Sequence, residues 1–152
     1  MRLAPAAPTD VAALVADVAT RFAARAHDDG VQLRVVAAAA PLPVAAPPDV
    51  LRLALHVLVD HALACTPAGG HVALVLRREQ DDAVLEVQDD GPGLTRLAFR
   101  DLQSGTAAAE PSNPLTRTSL LLASFGGAFA LEAEGPRQGL CRTVRLPLAP
   151  AA

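Results

Sequence analysis

The sequence predicts an α+β fold: a two-layer α/β sandwich with a mixed, mostly antiparallel sheet and its helices on one face. Three observations carry this reading. Two long stretches place apolar residues at helical spacing. Two pairs of alternating segments are each joined by a short turn, which makes hairpins and therefore antiparallel neighbours. The order is helix, strand, helix, hairpin, helices, hairpin, a mixture that packs helices over one side of a sheet. A doubly wound parallel sheet fits poorly, because tight hairpins cannot join parallel strands. The 152 residues are expected to form one domain over 1–152, with a lead-in helix over 9–27 and a core over 31–148.

Each element has its own signal. "TDVAALVADVATRFAARAHDDG" opens on the capping types Thr9 and Asp10, sets Val11, Leu14, Val15, Val18 and Phe22 on one face, and has Gly30 beyond its end. "VQLRVV" (31–36) alternates as a strand does. "AAAAPLPVAAPP" is a Pro-punctuated connector with a short strand around 42–44. From Asp49, "DVLRLALHVLVDHALAC" is the strongest helix, closed by "TPAGG". "HVALVLRREQ" and "DAVLEVQD" form a hairpin with Asp81 and Asp82 at or near its turn. "GPGLTRLAFRDLQSG" reads as a turn and a short helix, "TAAAEPSNP" as a loop, and "LTRTSLLLASFGG" as a helix stopped by two glycines. "AFALEAE" and "CRTVRLPL" close the chain as a hairpin around "GPRQGL".

Composition removes several function classes. Aromatic residues are only 3%, so the core is built from Leu, Val and Ala. The net charge of −3 comes without a basic cluster, which argues against a nucleic-acid surface. Cys65 and Cys141 lie far apart, with no metal-type or disulfide-type spacing. "MRLAPAAPTD" is no signal peptide, and the uncharged stretches over 35–48 and 118–131 fall short of the roughly 20 residues of a membrane span. A cytoplasmic setting without membrane contact is expected.

The chemistry-bearing stretch is "DDGPG". Pro92 and Gly93 suit the central positions of a type II turn, and the Asp89 carboxylate beside it could accept a hydrogen bond from an exocyclic amine. The plainer reading is a tight turn with an acidic cap. On the long helix, Arg52, His56 and Asp60 recur every four residues, as a solvated face with helix-stabilising pairs does. His56, Asp60 and His61 are poorly spaced for ligation, so no metal site is expected, and His61 reads as a packed or pocket-rim histidine.

"LRLALHVLVDHALACTPAGG" followed by "LEVQDDGPGL", with the "PLPV" lead-in, "FGG" and a terminal "LPL", resembles the ATP-binding catalytic domain of bacterial sensor histidine kinases. The likeness covers about residues 10–148, and the wider family includes gyrase and MutL. It implies a Bergerat-type ATPase fold, Mg-ATP as the family's ligand, and two-component signalling. By this resemblance Asp89 would bond the adenine amine, with Gly91 and Gly93 allowing close passage of the chain. The family's two helix asparagines, the second a Mg²⁺ ligand, fall on Val57 and His61; its lysine and aromatic fall on Ala64 and Cys65. A neutral imidazole is a poor ligand for Mg²⁺. The second glycine box falls at about 110–115, "EPSNPL", where prolines remove N–H donors. A threonine near the adenine aspartate falls on Cys141. No histidine stands in a phospho-acceptor context; His27 ends a helix without one.

The adenine end is thus kept and the phosphate end depleted. The expectation is a degenerate histidine-kinase-like ATPase domain of a two-component system, a regulatory or protein-interaction module with weak or no Mg-ATP binding. It has no catalytic residue of its own and no resident cofactor. Asp89, Gly91, Gly93 and His61 are the nucleotide-site positions. The expected partner is a signalling protein or a second copy of the chain. Two alternatives stand beside it: a divergent but active catalytic domain, and an anti-sigma-type serine kinase. The apolar stripe Leu53, Val57 and Ala64 is expected to be closed by residues 102–115 or covered by protein.

Overall fold

Asp10 does two jobs at the start of the chain. Its carboxylate accepts the N–H of Ala12 (3.1 Å), capping helix α1 (Val11–Asp28), and also the N–H of Leu42 (3.0 Å). Thr9 and Asp10 are themselves extended, as strand β1 (Thr9–Asp10), antiparallel to β3 (Pro43–Val44). The helix expected over 9–27 is therefore Val11–Asp28, because pairing with the proline-rich connector holds the first two residues out of it. Thr9 Oγ1 adds a buried bond to the Ala46 carbonyl (2.6 Å). At the far end Gly30 takes φ +71°, and Val31 N–H returns to the Ala26 carbonyl (2.9 Å). The computed structural model describes residues 8–37, 40–90, 118, 121–124, 126–133 and 140–149.

Helix α2 (Pro48–Cys65) begins one residue before the expected Asp49, with proline at its first position, where no backbone N–H is needed. It buries Leu51, Ala54, Leu55, Leu58, Val59, Ala62 and Leu63. The Arg52–His56–Asp60 series is not simply a solvated face. Asp60 pairs with Arg25, Arg52 with Asp17 (3.3 Å), and the His56 ring lies 4.7 Å from that of Phe22. These contacts stitch α2 to α1.

The main sheet runs in the order β2 (Gln32–Val36), β4 (His71–Glu79), β5 (Asp82–Asp89), β7 (Leu140–Pro147), β6 (Ala128–Ala133). Among the described strands of this sheet only β2 and β4 are parallel, since α2 crosses between them; the other described pairs are antiparallel. The β4–β5 turn is Gln80–Asp81, with Gln80 at φ +56°. Alternation sends Val72, Leu74 and Leu76 of β4, Ala83, Leu85 and Val87 of β5, and Val144 and Leu146 of β7 into the core shared with the helices. Each such Val or Leu contributes about 1.5–3 kcal/mol on burial.

Of the third expected helix, residues 118 and 121–123 are helical, and Gly127 N–H closes on the Leu122 carbonyl (2.9 Å). The turn, short helix and loop expected over 91–114 lie outside the described residues. No helix among the described residues is long and apolar enough to cross a membrane.

Candidate functional site

The inward alternation of β5 ends on Asp89, and that of β7 begins with Arg142, which stands opposite Val87. Both side chains are therefore carried on the core face at the same end of neighbouring strands. Both are fully buried, at 0% exposure, and Arg142 Nη1 donates to Asp89 Oδ2 at 2.7 Å. Each charge offsets much of the cost of burying the other.

The remaining edge of the guanidinium is turned to α2. Nε donates to His61 Nδ1 at 3.0 Å, and Nη2 lies 2.7 Å from the same atom. Since both are donors, Nδ1 is the acceptor and the ring of a neutral His61 carries its proton on Nε2. Burial, and secondarily the Arg142 cation, push the His61 pKa from 6.5 down to about 4, against the weaker pull of Asp89 and Asp60. Cys65, one turn on, has its Sγ 3.9 Å from His61 Nε2, and burial raises its thiol pKa. A carboxylate, a guanidinium, an imidazole and a thiol thus run from the sheet to the helix.

Asp89 and His61, two of the residues singled out in the sequence, are brought together, with Arg142 between them. Gly91 and Gly93 lie outside the described residues, as do 110–115 and 102–115. Cys141, expected near Asp89, instead faces Gln88 across the strands, with its Sγ 3.6 Å from Thr143 Oγ1 on the opposite face of the sheet. Arg142 takes the inward place by simple alternation, and it was not singled out in the sequence. On α2, Leu53 is 57% exposed, Val57 half-buried and Ala64 exposed.

The fold as a whole has structural counterparts among solved proteins. The fold is that of a histidine kinase catalytic domain. The kinase-type fold is seen in full-length ShkA in complex with AMPPNP, at a TM-score of 0.81 and 27% identity. That match covers 100% of this chain but only 33% of ShkA, so the chain spans a third of that relative's length. The nucleotide-free catalytic domain of ThkA matches at 0.81 and 16% identity, covering 99% of this chain and 100% of that one. ThkA in complex with the response regulator TrrA matches at 0.79 and 15% identity, over 93% of this chain and 41% of that one. No family model matches the sequence, and no curated protein matches it.

The described residues do not fit Mg-ATP. The Asp89 carboxylate, which the resemblance would make the acceptor for an adenine amine, is engaged by a buried cation. The Nδ1 lone pair of His61 is directed at Arg142, which withdraws that atom from any metal. Among the described residues no three of His, Cys, Asp and Glu are grouped to hold a metal ion.

Proposed function

We propose that the chain is a histidine-kinase-like ATPase domain of a bacterial two-component system that has lost Mg-ATP chemistry and works as a regulatory, protein-binding module. In this reading Asp89, Gly91, Gly93 and His61 mark the place of the former nucleotide site, and residues 1–152 make one such domain in the cytoplasm. One observation carries it: the Asp89–Arg142–His61 chain uses the base-reading carboxylate and the helix position facing the phosphates for internal contacts. Phosphoryl transfer depends almost wholly on metal and phosphate positioning, so a domain without them has binding, not catalysis, to offer. The ThkA complex with a response regulator supports a protein as the partner class. The exposed Leu53 beside Val57 and Ala64 gives such a partner apolar surface.

The test is thermal melting with millimolar Mg-ATP against AMP. A ligand at about 100 times its Kd adds about 2.7 kcal/mol, a shift of several degrees in a domain of this size. No shift is expected. A clear shift with Mg-ATP, absent with AMP, refutes the loss of nucleotide chemistry.

A further inference from the structure

We propose that Arg142 is a built-in occupant of the purine end of this site: its guanidinium gives Asp89 the hydrogen bond that the exocyclic amine of a nucleobase would give. The inference rests on the proposed reading of the domain and names what takes up the Asp89 carboxylate.

The geometry is that of a held ligand. Arg142 is gripped from two sides, by Asp89 on β5 and by His61 on α2, and it is wholly withdrawn from solvent. Guanidinium is planar, with five N–H donors in a fixed fork, and here Nη1, Nη2 and Nε all have acceptors at 2.7–3.0 Å. An adenine amine offers the same carboxylate a neutral donor, whereas the Arg142 bond is charge-assisted and roughly twice as strong. A purine taking its place would also leave a buried cation without its counter-charge. A neutral amine cannot offset that loss, so the side chain excludes the base.

The proposal fixes a ligand class as well. An ionised carboxylate accepts from an amine and repels a carbonyl oxygen. With the guanidinium removed, and at a pH high enough to keep the carboxylate ionised, the site should therefore take 6-amino purines and reject 6-oxo purines, with no need of phosphate or metal.

Arg142→Met keeps the unbranched apolar stem of the side chain and removes the guanidinium head with all its donors. Adenosine is the probe, because it carries neither phosphate nor charge, and inosine is the control. Calorimetry should show adenosine bound at least about tenfold more tightly by Arg142→Met than by the native chain, with inosine bound at least about tenfold more weakly than adenosine. If the variant is poorly folded, linkage reads the same quantity: adenosine must raise its unfolding midpoint and inosine must not. In the native chain the Arg142 Nε–H resonance should stay unmoved by millimolar adenosine. Displacement of that resonance, equal adenosine binding by both proteins, or no response of the variant to adenosine each overturns the proposal. Its failure is separable from that of the wider reading. Native binding of Mg-ATP but not adenosine refutes the lost-chemistry reading alone, and a variant that ignores adenosine while the native chain ignores Mg-ATP refutes only the role of Arg142.

Discussion

His61 makes stability depend on pH in a window that few other groups share. In the folded chain its ring is neutral, facing Arg142, Asp89, Asp60 and Cys65, with a pKa of about 4 in place of 6.5. The unfolded chain binds the proton first as pH falls, so protons favour unfolding. The stability associated with the neutral ring is complete above 6.5 and is lost progressively from 6.5 down to about 4. At full weight a drop of this size corresponds to about 3 kcal/mol. His61 is only half-buried, and solvent screening cuts the expected loss to about 1–2 kcal/mol.

The assay is urea unfolding at a series of pH values between 7.5 and 4.5 (roughly the span over which an unfolded histidine titrates), for the native chain and for His61→Gln. Glutamine can still accept from the guanidinium but does not titrate. His27, His56 and His71 are present in both proteins, so their contributions cancel in the difference. Burial pushes the Asp90 carboxyl up, but its bonds to His71 together outweigh this and hold it below 3.8, so it acts at lower pH, where its own stabilisation is lost as pH falls through that depressed value. The native chain should lose about 1–2 kcal/mol more than His61→Gln on acidification across this range. Parallel pH profiles would mean that His61 does not sit neutral against Arg142, and the proton assignment would be wrong.

Asp89→Asn should cost about 3–5 kcal/mol in urea unfolding, since it leaves Arg142 buried without a counter-charge. Asp89→Asn with Arg142→Met together should cost clearly less than the sum of the two single changes; additive losses would deny the pair. Leu53→Asp, at a 57% exposed position, should move stability by less than about 0.5 kcal/mol. By contrast Leu58→Ala, at 0% exposure on the same helix, should cost about 2–5 kcal/mol. Equal effects in one denaturation series would put the wrong face of α2 in the core.

What the sequence could and could not announce follows from range. The helices α1 and α2 and the β4–β5 hairpin carry their signals locally, in a cap, a period and a two-residue turn, and each is found close to where those signals place it, with its ends slightly shifted. The two-residue strands β1 and β3 are too short to show a period, so Asp10 was legible as a cap and not as a strand partner. The cross-helix pairs Arg25–Asp60 and Arg52–Asp17 look on one helix like surface charge, and only the second helix gives them partners. Asp89 could be read because it opens a compact motif. Arg142 could not, because its meaning lies in register. In "LCRTVRLPL" it shares parity with Val144 and Leu146, which marks it as an inward-facing charge. In "DAVLEVQDD" Asp89 shares parity with Ala83, Leu85 and Val87 in the same way. Two opposite charges on inward parities form a pair only if those ends of the strands are neighbours. That fact is set by the order β5-β7-β6, which no local pattern contains. A lone inward charge in an alternating strand is costly enough that it requires a partner, and another strand with an inward charge of opposite sign is the first place to seek it. By that rule the partner of Asp89 is to be sought on β7, where Arg142 supplies it, and not in the compact motif that Asp89 opens.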